Sequence, residues 1–154
     1  MALFEQIINT HSSFLGTLRH SFLDEDRKTA LQNFELKGFP TKKDEEYKYT
    51  NLKEITEKEY NFFPTEEHNI SKEQLDVLHL GEENFDRIIF INGKLHKEFS
   101  KISIGNAEFL SFGYALNDSA HKEAFDQYFN TIANRDLAFT NLNSAYCNFG
   151  FFLR

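Results

Sequence analysis

The chain has 154 residues, 40% of them hydrophobic and 27% charged, with a formal net charge of −7, which suits about one globular domain and excludes both wholesale disorder and an integral membrane protein. With 24 acidic against 17 basic residues, and no basic run longer than Lys42-Lys43, the average field repels a phosphate backbone, so no nucleic-acid partner is expected. Cys147 is the only cysteine, which excludes an intrachain disulfide, and the absence of a leader-like or bilayer-length apolar stretch makes a cytoplasmic protein the expectation.

Phenylalanine, at 18 residues, supplies much of the core volume, and there is no tryptophan. Residues 2 to 22 place Phe4, Ile7, Ile8, His11, Phe14, Leu15, Leu18 and Phe22 at three- and four-residue spacings, which predicts an amphipathic helix. His11, on the apolar stripe, is expected to be half-buried with a backbone partner. Asp24 is a suitable cap for a second helix, with Glu25 and Asp26 in its first turn and Arg27, Ala30, Leu31 and Phe34 on one face. Gly38 and Pro40 end it, and the two helices read as an αα-hairpin.

The stretch from Gly38 to Thr50, GFPTKKDEEYKYT, is the hardest to account for by generic helix or loop chemistry. Thr41 can cap a new turn, and Asp44, Glu45 and Glu46 then fall where acidic side chains favour a helix start. Tyr47 and Tyr49, separated by Lys48, do not share one helical face. The chain is expected to leave helical geometry there and lay both rings on a neighbouring surface as a structural clasp.

Residues 51 to 60 are strongly charged and predict a short solvated turn. Ser71 with Gln74 forms a capping box for a third helix, with Leu75, Val77, Leu78 and Leu80 supplying apolar contacts until Gly81. The period then changes. Arg87 to Ile91 is β-branched and apolar, and Asn92-Gly93 is a strong two-residue hairpin turn leading to Lys94, Leu95 and His96. Ile102, Ile104 and residues 107 to 112 can add extended segments. Ser119 or Asp118 can cap a helix whose face carries Ala120, Ala124, Phe125, Tyr128, Phe129 and Ile132. Asn134 or Asp136 can open another, with Leu137, Ala138, Leu142, Ala145 and Tyr146. Residues 149 to 154 predict a terminal strand with unpaired backbone groups, able to pair with a second copy of the chain, and read as a segment cut from something longer.

The expected fold class is α+β: one mostly helical domain over 1–154, helical through 1–80, with a β-hairpin region at 85–112, helices at 118–147 and a strand beginning at 149. Chemistry is not evident. The six histidines, His11, His20, His68, His79, His96 and His121, lack close metal-ligand spacing. Cys147 follows Tyr146 at the end of an amphipathic helix and suits packing better than nucleophilic attack. Asp44, Glu45 and Glu46 diverge around a helix rather than facing one another, and no glycine-rich phosphate loop is present. The residues therefore predict no catalytic, cofactor or metal site. The rival readings are an enzyme or metal-binding domain built from dispersed histidines and carboxylates, and a generic interaction module.

Arg27, Ala30 and Phe34 leading into GFPTKKDEEYKYTNL resemble the N-terminal signature of the SufB/SufD family, the SufD branch in particular. Within it fall Gly38, Phe39, Pro40, Thr41, Glu45, Glu46, Tyr47, Lys48, Tyr49 and Thr50. RIIFING, ending in Asn92 and Gly93, with Phe99-Ser100, and FTNLNSAYCNFG, containing Leu142 and Asn143, resemble two later segments in the same order. Tyr47 stands where the family commonly has tryptophan. The resemblance implies a non-catalytic scaffold of iron–sulfur cluster assembly, partner of SufB-like and SufC-like subunits, with ATP bound by SufC. It implies a parallel β-helix beginning where this sequence stops. It carries no catalytic residue or metal ligand onto these positions.

Overall fold

In a computed structural model, which describes residues 2–18, 22–62, 70–77, 86–91, 94–102, 108–133 and 135–153, the amphipathic N-terminal stripe folds as helix α1, Leu3–Thr17, burying Leu3, Ile7, His11 and Phe14. The helix stops short of the expected Phe22, which is 41% exposed. Helix α2, Asp24–Lys37, turns Arg27, Ala30 and Phe34 inward. Asp24 does not cap it: the cap position is Leu23, without a side-chain hydrogen bond, and Asp24 lies in the first turn with its carboxylate 2.9 Å from the Arg27 guanidinium. The carboxylate is thereby engaged by a cation three residues on rather than by the orphan backbone donors.

Gly38 ends α2 as expected. Its φ of 69° and ψ of −169° lie in a region essentially restricted to glycine, while its N–H still donates to the Phe34 carbonyl at 2.7 Å. The chain then makes a single 3-10 turn, Glu45–Tyr47, and the short helix α3, Lys53–Thr56. Beyond it the Gln6 side chain of α1 accepts from the Tyr60 N–H at 3.1 Å and donates to the Tyr60 carbonyl, so one amide satisfies both backbone groups of that residue.

The chain divides into two compact units, one of Met1–Phe62 with Leu110–Phe152 and one of Phe63–Phe109 with Leu153–Arg154. The second contains α4, Lys72–Asp76, whose capping box is formed as expected: Ser71 Oγ accepts from the Gln74 N–H and Gln74 Oε1 from the Ser71 N–H. Leu75 is buried, but Val77 is 72% exposed and not an apolar contact, because it falls past the last helical residue. Strands β1, Phe90–Ile91, and β2, Lys94–Leu95, pair antiparallel with Phe90 opposite Leu95 and Ile91 opposite Lys94, the register a two-residue connection dictates. Asn92 and Gly93 themselves lie outside the described residues. The ladder is shorter than expected: Arg87 bridges Lys101 instead of the return strand, and Ser100 Oγ accepts from the Ile89 N–H at 2.9 Å.

Strand β3, Phe109–Ser111, pairs with β4, Phe151–Leu153. The terminal strand is thus paired on one edge within the chain, where the sequence predicted unpaired groups, while its other edge meets no strand among the described residues. Between them run α5, Phe112–Ala115, α6, Ser119–Tyr128, and α7, Ala138–Ala145. Asp118 rather than Ser119 caps α6, accepting from the Ala120 and His121 N–H groups at 3.0 and 3.2 Å. The helix ends before the expected face is complete: Tyr128, its last residue, is 63% exposed, and Ile132, 93% exposed, lies beyond it. Asp136 does not cap α7: Leu137 holds that position, and Asp136 sits 3.4 Å from the Lys37 ammonium instead.

The dominant partner of α2 is α7, not α1. A plain αα-hairpin is therefore not the organising unit. The core of the first unit centres on Leu3, Ile7 and Phe34, with Leu142 and Tyr146 of α7 packed against it. Phe22, Phe112, Phe125 and Phe129 form a second ring cluster, with Phe125 and Phe129 stacked at 4.3 Å. The seven α-helices and two small sheets of the described residues make the fold α+β.

Candidate functional site

The Gly38 to Thr50 stretch is held from both ends. The left-handed backbone at Gly38 swings Phe39 back onto α2, where its ring lies 5.2 Å from Phe34, 6.5 Å from Phe4 and 5.9 Å from Phe139 of α7. Pro40, having no N–H, leaves no donor unpaired as the chain turns away. Thr41 does initiate a turn. Its hydroxyl accepts from the Lys43 N–H at 3.2 Å, while Asp44 Oδ2 accepts from the Thr41 N–H at 2.7 Å and from its hydroxyl at 3.1 Å. Those bonds hold the Asp44 carboxyl below its usual pKa.

The two tyrosines part company. The 3-10 turn carries Tyr47 inward, its ring 5.8 Å from Phe139, whereas Tyr49 is 92% exposed with the Lys48 ammonium 5.7 Å from its ring centre. A clasp with both rings laid down is therefore corrected to one of Phe39 and Tyr47 gripping Phe139. The cause is helical continuation through Tyr47, which sends the ring two positions later to the opposite side. Glu45 lies 3.9 Å from Lys48. Glu46 and Thr50 are exposed. Among the later signature residues, Leu142 packs on the core while Asn143 is exposed.

A cleft of about 300 Å3 opens between the two arms of this stretch, with Phe39, Pro40, Thr41 and Lys42 on one wall and Thr50, Asn51, Leu52, Lys53 and Thr56 on the other. The second wall is fixed by local bonds: Thr50 N–H to the Tyr47 carbonyl at 2.9 Å, Lys53 N–H to Asn51 Oδ1 at 3.1 Å, and Thr56 N–H to the Leu52 carbonyl at 2.9 Å. Its lining holds apolar carbon, hydroxyls and ammonium groups, without a nucleophile–base pair. A second cleft, of about 390 Å3, is lined by Leu18, Phe22, Arg27, Phe112, Asn148 and Gly150 among others.

Three polar side chains lie beside these features, Arg27 and Asn141 buried and Tyr146 half-buried. Arg27, 3% exposed, donates from Nε to the Cys147 carbonyl at 2.8 Å and pairs with Asp24, so its charge is balanced where it is desolvated. Asn141, 2% exposed, donates to the Arg135 and Leu137 carbonyls at 2.7 and 3.0 Å, fixing the entry into α7. Tyr146 donates to the Ile7 carbonyl at 2.6 Å and meets the Thr10 hydroxyl at 2.9 Å. Arg27 falls on the stripe shared with Ala30 and Phe34, but no pattern in the sequence marks Asn141 as buried; its partner carbonyls at Arg135 and Leu137 do so. His11 is more deeply buried than expected, at 3% exposure, and its Nε2 meets the Ala145 carbonyl at 2.9 Å, the backbone partner foreseen. Burial lowers its pKa.

Burial pushes the Cys147 thiol up, which disfavours the thiolate a nucleophile or soft ligand needs. Among the described residues no three His, Cys, Asp or Glu side chains are grouped to hold a metal ion. His20, His68 and His79 lie outside them. No helix of the described residues is long and apolar enough to cross a membrane.

No curated protein and no solved structure matches the chain. The sequence model of one family, described as the SufBD protein N-terminal region, matches residues 2–154. That span takes in the Gly38 to Thr50 stretch, its grip on Phe139 and the α2–α7 pair together, and the chain belongs to the SufB/SufD family, as its N-terminal region.

Proposed function

We infer that this chain is a scaffold and interaction domain of an iron–sulfur cluster assembly complex, SufD-like, working beside SufB-like and SufC-like subunits in the cytoplasm and without catalysis of its own. The observation that carries the reading is the family match across residues 2–154. The SufD assignment draws on the Gly38 to Thr50 stretch, which folds into a fixed turn around Phe139. A non-catalytic role draws on the side chains present: the clefts lack a base beside a nucleophile, and the Cys147 thiol is driven toward its neutral form. The described residues also do not fit a resident cluster or metal ion, which needs three or four converging ligands. In this reading the cluster is cargo of the complex, and ATP is the ligand of the SufC-like subunit.

Co-expression of the tagged chain with SufB-like and SufC-like subunits tests the reading. Stoichiometric co-purification that survives moderate salt is expected. Iron or zinc held at one equivalent by the purified chain alone would overturn the non-catalytic scaffold assignment, and failure to retain either subunit would overturn the partner assignment.

A further inference from the structure

The cleft beside Thr41 and Thr50 has a composition at odds with the rest of the chain. The protein carries 24 acidic residues and a net charge of −7, yet none of the nine residues lining this cleft is acidic and two are lysines. The nearby acids are turned to other work. Asp44 accepts from the Thr41 N–H and hydroxyl, and Glu57 sits 3.5 Å from the Lys53 ammonium in a solvent-exposed pair, weak enough for a ligand carboxylate to displace. Lys42 makes no ion pair or hydrogen bond among the described residues. Phe39, Pro40 and Leu52 are partly exposed and give the cleft its apolar portion. Because the Phe39 ring is anchored on Phe34 and Phe139, that portion is pre-formed rather than assembled on binding.

We propose that this cleft is a docking site for an acidic peptide segment of a partner protein, one apolar side chain entering between Phe39, Pro40 and Leu52 while flanking carboxylates meet Lys42 and Lys53. The volume, about 300 Å3, matches the small end of ligand pockets, room for a side chain and its adjoining backbone rather than a dinucleotide or haem. The hydroxyls of Thr50 and Thr56 and the Asn51 amide supply donors and acceptors for that backbone. Charge complementarity selects the occupant: in a chain of net charge −7 the lining offers two ammonium groups and no carboxylate, which favours a carboxylate-bearing peptide over a cationic one. The inference rests on the reading of this chain as an interaction domain, and it adds the chemistry of what is recognised.

The test is fluorescence anisotropy on the full chain with a labelled probe peptide, Leu-Phe flanked on each side by Glu-Asp. Three comparison probes are a Lys-flanked Leu-Phe peptide, an acidic peptide with Gly-Gly in place of Leu-Phe, and a short oligothymidylate. Saturable binding of the first probe, weakened about tenfold by the exposed double substitution Lys42→Glu/Lys53→Glu and by raised salt, is the expected result. Far-UV circular dichroism establishes that the double variant is folded. Equal binding of the Lys-flanked, Gly-Gly or oligothymidylate probe overturns the proposal, as does the absence of saturable binding or an unchanged affinity in the folded variant. Peptide binding without co-purification of SufB-like or SufC-like subunits would leave the site standing and remove the partner assignment. Co-purification without peptide binding would do the reverse.

Discussion

Tyr47→Ala and Tyr49→Ala are chemically identical truncations separated by one residue, and the structure assigns them different costs. Tyr47 is partly buried with its ring 5.8 Å from Phe139, while Tyr49 is 92% exposed. Truncating a fully buried aromatic costs about 3–5 kcal/mol; roughly half that, about 1.5–2.5 kcal/mol, is expected for Tyr47, since part of its ring already meets water. Tyr49→Ala removes only an exposed contact with the Lys48 ammonium and should stay within about 0.5 kcal/mol. For a chain of this size each kcal/mol moves Tm by about 2–4 °C, so Tyr47→Ala should melt about 3–10 °C lower and Tyr49→Ala within about 2 °C of the parent. Urea titrations followed by circular dichroism give the free energies. A cycle with Phe139→Ala should return a coupling of about 0.5–1.5 kcal/mol for Tyr47 and none for Tyr49. Equal losses from the two single substitutions, or zero coupling between Tyr47 and Phe139, would refute the one-ring clasp.

The remaining predictions concern the same unit. A Cβ at Gly150 would overlap the Phe112 ring atoms Cε2 and Cζ, so Gly150→Ala is expected to destabilise by about 1–3 kcal/mol, and part of that loss should vanish in a Phe112→Ala background; an undiminished loss there would show that the ring is not the obstacle. Asn141→Ala removes the donors to the Arg135 and Leu137 carbonyls, for an expected cost of about 1–3 kcal/mol read from the urea midpoint, and an unchanged midpoint would contradict it. His11 has its pKa lowered by burial, with Arg27 lowering it further and the Ala145 carbonyl and Asp24 opposing. The folded state therefore takes up fewer protons than the unfolded chain. Its contribution is fully present above the unfolded value of about 6.5 and is lost as pH falls from there through the folded pKa. His11→Gln keeps a donor for the Ala145 carbonyl without titrating, so stability between about pH 7 and pH 5 should fall less steeply in that variant; parallel curves would show that His11 is not the group responsible.

Much of the local structure was legible because it is decided within three or four residues. The spacing from Phe4 to Phe14 required a helix with one buried stripe, and Ser71 with Gln74 required a capping box. Asp118, one of two candidate caps, had the right distance to the Ala120 and His121 N–H groups. Gly38 was readable as a stop because no other residue enters its backbone region without strain. The paired strands Phe90–Ile91 and Lys94–Leu95 followed from a connection of two residues. The same short range misled where two local solutions competed. Asp24 could cap α2 or pair with Arg27, and Asp136 could cap α7 or meet Lys37; in each case a cation took the carboxylate, Arg27 from the same helix turn and Lys37 from the end of α2.

Tertiary structure alone decided which faces meet. Nothing in the α2 pattern distinguishes α1 from α7 as its principal partner, because both offer apolar stripes of similar period. The burial of Arg27 and Asn141 depends on carbonyls presented by Cys147 and by the loop before α7, and the pairing of β3 with β4 joins segments some forty residues apart, roughly the separation at which chain topology rather than local preference governs pairing. The Gly38 to Thr50 stretch shows the division most plainly. Its residues determine that a helix ends, a threonine turn begins and two aromatic rings follow; the position of Phe139 on α7 decides that Tyr47 is held and Tyr49 is left to solvent, and that an acid-free cleft stands open beside them. A ring is buried only where another element supplies atoms to pack against it, and that supply is a property of the folded chain.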